Sequence, residues 1–359
     1  MARRYSGSNR RFRTQKKRRG TNPVRTCLVV VAVIVLVAYG ISLLRNSDPD
    51  APLAGSPNEV TISAMTLAPT DRSGRSVEVD RDSVRRPGND PGEPSKPPKK
   101  IPDTLNPQVL EAVSDAVHKF NQNSIGLVEL RETYNHMLNT MEMSPDQRVG
   151  IQDLMEKLSD QWLFSEKVYE GDFLCETYLV QSGDTLERIG KRHSVPAEIL
   201  QTINDIPRPK ALQAGRKIKV VNGPFHVRVR RSAFTMDLYL KNTYVKSYQV
   251  GLGMPGHETP TGTWIVAEGE KLIRPEWTDP NGRTFSPSDP DYPLGDRWIG
   301  LQGIEGNAEG RTGFAIHGTE VPQEIGKNTS RGCIRLHNGK VIEVYNMVMP
   351  GLSTVRVFD

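Results

Sequence analysis

Cysteine is scarce in this 359-residue chain, with three residues at positions 27, 175 and 333. That scarcity excludes a disulfide framework, although Cys175 and Cys333 remain available for one bridge. None of the seven histidines is spaced with Cys or carboxylates as zinc ligands are, so neither a metal nor any other cofactor is expected. Acidic residues are absent from positions 1–25, which carry ten Lys or Arg. Removing those ten from 47 leaves 37 basic against 42 acidic residues, so the net +5 belongs to a tail. A nucleic-acid footprint on the folded part, and a nucleic-acid partner, are therefore not expected.

Charge is also missing from residues 26–44, TCLVVVAVIVLVAYGISLL. Nineteen helical residues span roughly the ~30 Å hydrocarbon core of a bilayer. The expectation is a single transmembrane helix behind a basic cytoplasmic tail (1–25), with the bulk of the chain in the periplasm or cell-wall space. A cleaved signal peptide is the competing reading, since Ala38-Tyr39-Gly40 is a passable site, but apolar sequence runs on to Leu44. Residues 45–104 are rich in Pro, Gly, Ser, Asp and Arg and poor in large apolar side chains. They read as a disordered linker.

Residues 105–172 turn helical. Asn106-Pro107 supplies an N-cap and a first-turn proline, and Ser144-Pro145-Asp146-Gln147 has the form of a capping box. Three apolar stripes follow: Val109, Val113, Ala116, Val117 and Phe120; Leu127, Leu130, Tyr134, Leu138 and Met141; then Ile151, Leu154, Leu158 and Trp162. They suit a small all-α segment packed on itself. Residues 223–359 instead show short alternating runs, such as Phe225, Val227 and Val229 between His226, Arg228 and Arg230. These predict a mostly antiparallel, sandwich-like β domain.

Between them, residues 177–222 read strand, helix, helix, strand. Tyr178, Val180, Gly183-Asp184-Thr185-Leu186, Ile189, Val195, Leu200, Asn204, Leu212, Gly215 and Ile218 together resemble a LysM domain. The resemblance implies a β-α-α-β fold that binds N-acetylglucosamine-containing glycan, commonly peptidoglycan. Gly183, Asp184, Thr185 and Asn204 would border its groove. Each also has a plainer role, Asp184 or Thr185 as a helix cap and Asn204 as a turn former.

The chemistry-bearing stretch is IHGTEVPQEIGKNTSRGCIRL, residues 316–336. A thiol attacks as its thiolate, whose reference pKa is ~8.5, and a nearby imidazole can take its proton. His317 ends an apolar run and Cys333 follows sixteen positions later. Gly332 permits a strained turn and leaves the Gly332 and Cys333 amides available to an oxyanion. Spacing alone is weak evidence, since a lone His…Cys pair is more often structural.

IHGT followed by SRGCIRL, with VGLG at 250–253 and TPTGT at 259–263, resembles the L,D-transpeptidase (YkuD) catalytic domain over residues 223–359. That resemblance implies that Cys333 forms a thioester with the third residue of a peptidoglycan stem tetrapeptide, expelling D-alanine. An amine on another stem's third residue then resolves it, giving a cross-link between third residues. It makes His317 the activating base and the Gly318 carbonyl its orienting partner. Ser330 and Gly332 belong to the substrate-facing turn, and Arg335 either binds a substrate carboxylate or braces the loop. Arg331 stands where some members carry a second histidine, and Phe314 where a tyrosine often stands. Asp289–Leu301 looks like an added loop lining the cleft. Water as acceptor would make an L,D-carboxypeptidase, and a protein amine an attachment enzyme. A non-catalytic peptidoglycan-binding protein is the remaining reading, disfavoured by the intact His317 and Cys333.

Overall fold

The computed structural model describes residues 105–359 apart from Pro280. The tail, the transmembrane helix and the linker expected over residues 1–104 lie outside the described residues. Among the described residues, no helix is long and apolar enough to cross a membrane.

Three helices come first: α1 (Pro107–Asn121), α2 (Leu127–Thr140) and α3 (Pro145–Trp162). Asn106 caps α1 by accepting from the Gln108 amide, and both bonds of the Ser144–Gln147 capping box form at α3. The Gln147 side chain also bonds both the amide and the carbonyl of Asn106, tying the two helix starts together. Val109, Val113, Leu130, Tyr134, Ile151, Leu158 and Trp162 are buried, whereas Val117 is left exposed.

The next unit pairs β1 (Cys175–Leu179) antiparallel with β2 (Lys217–Val221) around α4 (Leu186–Arg192) and α5 (Ala197–Ile203). Leu186, Ile189, Leu200, Ile203 and Ile218 fill its core. It is fastened to the helices by charge. The buried Lys219 donates its Nζ to the carbonyls of Trp162, Ser165 and Lys167 at 2.5, 3.0 and 2.8 Å, satisfying the otherwise bare end of α3. Arg131 lies over the Trp162 ring and pairs with Asp172 at 3.0 Å, both side chains being almost fully buried. Removing Asp172 leaves the buried Arg131 with Glu132 alone, which it bonds at 3.0 and 2.7 Å. Asp172→Ala is therefore expected to cost about 3 kcal/mol in urea unfolding, and the apolar double variant Arg131→Met/Asp172→Leu much less.

The remaining strands are β3 (Phe225–Arg230), β4 (Thr235–Leu240), β5 (Thr243–Gln249), β6 (Leu252–Gly253), β7 (Gly262–Leu272), β8 (Trp277–Thr278), β9 (Thr284–Phe285), β10 (Trp298–Glu305), β11 (Phe314–His317), β12 (Asn328–Ser330), β13 (Ile334–Arg335) and β14 (Thr354–Phe358). One further helix, α6 (Asn338–Tyr345), follows β13. The sandwich expectation is corrected here. Eight strands form one sheet in the order β13-β11-β10-β7-β14-β3-β4-β5, and two of its pairings, β11–β13 and β14–β3, are parallel. The sheet curls until its ends meet: Gly251, just past β5, exchanges backbone bonds of 2.9 and 2.8 Å with Arg335 of β13. Gly251 suits that seam because a Cβ there would sit 2.7 Å from the Glu324 carbonyl oxygen. The outer edge at β5 is covered by α3, and Asn135 of α2 accepts the Tyr244 amide through its side chain at 3.1 Å. The helical segment thus has a partner that its sequence did not reveal.

Candidate active site

The seam decides what surrounds Cys333. In the parallel β11–β13 pair, Ile316 faces Ile334 and His317 faces Arg335. Side chains two apart on a strand share a face, and register partners share it too. His317 and Arg335 are therefore on one side of the sheet, and Cys333 immediately precedes β13. The Ala315 backbone, two residues before His317, lies near enough to the Cys333 sulfur to favour its charged form.

His317 is buried and held on several sides. Its Nδ1 donates to the Gly318 carbonyl at 2.7 Å, a second backbone contact comes from Leu294, and the Trp298 indole stacks on the ring at 5.8 Å with planes 20° apart. With Nδ1 carrying the proton, Nε2 is the basic nitrogen of the neutral ring. Burial, reinforced by the nearby Arg335, lowers the His317 pKa to about 4 against the pull of the two carbonyls. Burial also raises the Cys333 thiol, partly offset by the Ala315 bond and Arg335. Both shifts favour an uncharged thiol beside an uncharged imidazole rather than a resting ion pair.

The turn that carries Cys333 depends on glycine and serine. Gly332 has φ +109°, and a Cβ there would lie 2.6 Å from Cε1 of Phe314. Phe314 in turn packs against Trp264 at 4.9 Å. Buried Ser330 donates its hydroxyl to the Cys333 carbonyl at 2.6 Å and accepts the Gly332 amide at 3.1 Å. Ser330 thus engages the Gly332 amide, one of the two amides expected to face an oxyanion. Ser330 sets the shape of the turn. Arg335 braces: its Nη1 donates to Glu324 at 2.5 Å and to Thr329 at 3.4 Å.

Gly318 is boxed in. A Cβ on it would fall 2.1 Å from Oδ1 of Asn338, which accepts the Thr319 amide at 3.1 Å. Gly295, at φ +64°, backs onto Gly318 equally closely. The segment expected to line the cleft, Asp289–Leu301, therefore carries the support of the histidine through Leu294, Gly295 and Trp298, and its last four residues belong to β10. None of these supports, nor Asn338, was singled out from the sequence. Gly295 in PLGD was the available sign, a turn glycine pressed against another backbone. His337 is exposed at the start of α6. Cys175 and Cys333 are unbridged, and burial pushes the Cys175 thiol up to about 12.

In the β-α-α-β unit the plainer roles dominate. Thr185 caps α4 through the Arg188 amide, and Asp184 accepts from Tyr178 at 2.7 Å and from the Gln181 amide at 2.8 Å while pairing with Arg192. Asn204 is buried, its Oδ1 accepting the Lys219 amide and its Nδ2 donating to the carbonyls of Leu200 and Lys219. It locks α5 to β2 and has no free polar atom for a sugar. Gly183, at φ +83°, has open space where a Cβ would be and marks the outer turn.

The L,D-transpeptidase catalytic domain model, YkuD, matches residues 224–357, and the LysM domain model matches residues 178–221. The YkuD protein of Bacillus subtilis (strain 168), named for this activity, is 32% identical over 183 residues, covering 49% of this chain and 94% of that protein. The chain belongs to the L,D-transpeptidase (YkuD) family. A second family protein of that organism, YqjB, is 32% identical over 139 residues, covering 38% of this chain and 73% of its own. Among solved structures, the catalytic domain from E. faecium L,D-transpeptidase is 23% identical, with a TM-score of 0.29 over 37% of this chain and 95% of that one. The family's catalytic domain and a LysM domain together imply peptidoglycan binding by this member.

Proposed function

We propose that this member of the family is a peptidoglycan L,D-transpeptidase working through a cysteinyl thioester. The observation that supports the reading is the parallel β11–β13 register, which runs the strand ending in His317 alongside the one that Cys333 leads into, with the imidazole's Nδ1 committed to Gly318. Nε2 takes the thiol proton as the sulfur adds to the carbonyl of the third stem residue. The Cys333 amide donates to the oxyanion that develops. Collapse of the tetrahedral centre breaks the peptide bond, and the imidazolium returns its proton to the departing D-alanine amine. A thioester remains on Cys333. The side-chain amine of an acceptor stem's third residue then attacks it, its proton passes to His317, and the thiol is regenerated with a new amide between third residues. Residues 177–222 hold the enzyme to the glycan, and residues 26–44 anchor it as a single-pass protein of the bacterial cytoplasmic membrane, N-terminus inside.

Incubation with purified muropeptides carrying tetrapeptide stems, followed by mass analysis, tests the reaction. The expected products are free D-alanine and a cross-linked dimer. Tripeptide without dimer would replace the proposal by L,D-carboxypeptidase activity, and unchanged muropeptides would reject both.

A further inference from the structure

A cleft of about 490 Å³ opens beside the turn that carries Cys333. That volume is within the range of small-ligand sites. Its wall includes Arg331, two residues before the nucleophile, and Phe314, whose ring rests against Gly332. Two further arginines, Arg231 and Arg311, line it with Asn307.

The three guanidinium groups are not equivalent. Arg231 is spent, paired with Asp359 and donating to the Thr259 carbonyl at 2.9 Å. Glu258, also on the wall, is occupied by the Gly256 amide at 3.0 Å. Arg311 uses only its Nε, on the Asn307 carbonyl at 2.8 Å, and Arg331 is exposed. The ion pairs among the described residues involve neither Arg311 nor Arg331. Two guanidinium forks with unspent donors in one cleft suit a carboxylate, which they can grip in bidentate fashion.

We infer that this cleft is a carboxylate-binding subsite for a substrate peptide, with Arg311 and Arg331 as its contacts. The inference rests on the stem-peptide reading above, and it adds that the peptide is recognised by a free carboxylate. That carboxylate belongs either to the C-terminal D-alanine or to the side chain of the third residue.

Binding can be measured without turnover, by calorimetry on the full chain carrying Cys333→Ala. The probes are synthetic stem tetrapeptides: one with both carboxylates free, one amidated at the C-terminus and one amidated at the third-residue side chain. Amidating the recognised carboxylate is expected to weaken binding ~10- to 100-fold, as losing hydrogen bonds to a charged group does. Adding Arg311→Gln and Arg331→Gln should weaken the free peptide by a similar factor and abolish discrimination between free and amidated forms. Equal binding of all three peptides, no measurable binding of the free one, or an unchanged affinity in the arginine variant would overturn the assignment. A retained binding difference alongside unchanged muropeptides in the turnover assay would reject the reaction and leave the subsite standing.

Discussion

Cys333→Ala is expected to abolish both D-alanine release and dimer formation, a loss of up to about a millionfold that leaves only background. Loss on this scale follows because no other described side chain combines a thiol with this setting. Cys175, the other described cysteine, is buried against the Trp162 carbonyl with its thiol pushed up to about 12. Intact-mass measurement gives a second readout. A carbapenem-type β-lactam should add its mass to the parent protein and not to Cys333→Ala. An adduct on the alanine variant, or residual dimer formation, would move the nucleophile elsewhere. The seam is closed by backbone bonds between Gly251 and Arg335 and not by the Cys333 side chain, so the variant should retain its fold.

His317→Gln is expected to lower kcat/KM by ~10²–10⁴, the usual contribution of a positioned general base. A merely structural histidine would not move the pH profile, so the profile is the deciding measurement. In the parent, the acid limb of kcat/KM should fall near pH 4, where the ring finally accepts a proton. In the glutamine variant that limb should vanish. Stability carries the same signature. Between pH 6.5 and about 4 the unfolded ring binds a proton that the folded ring refuses. The contribution of the neutral ring is therefore complete above pH 6.5 and is lost as pH falls toward 4, amounting to about 3 kcal/mol. His317→Gln should flatten that part of the stability curve, which urea unfolding at a series of pH values will show.

Local chemistry was legible in the residues. Asn106-Pro107 and Ser144–Gln147 announce helix starts because capping is a contact between near neighbours. The LysM unit was legible for a similar reason, its turn glycines and apolar positions lying within a short span. His317 and Cys333 could be singled out because a rare nucleophile, a histidine and a tight-turn glycine occur within one short stretch. The curled sheet was not legible. Alternating runs specify strands but not their partners, and the Gly251–Arg335 seam joins positions far apart in sequence. The same holds for the Leu294–Gly295–Trp298 support and for Asn338, which act on His317 through backbone and ring contacts that leave no motif. Asn204 misleads differently: a polar residue at a groove position had to be seen buried before its bonds to Lys219 and Leu200 could be known.

Keeping the Cys333 sulfur protonated has a consequence beyond acyl transfer. Thiolates attack peroxides, and the reversible sulfenic acid that forms can be oxidised further to the irreversible sulfinic and sulfonic acids. At the proposed location outside the cytoplasm, where no glutathione pool keeps thiols reduced, a permanently ionised nucleophile would be steadily consumed. A thiol that surrenders its proton only when a substrate carbonyl arrives is spared between turnovers, at the expense of waiting for its base.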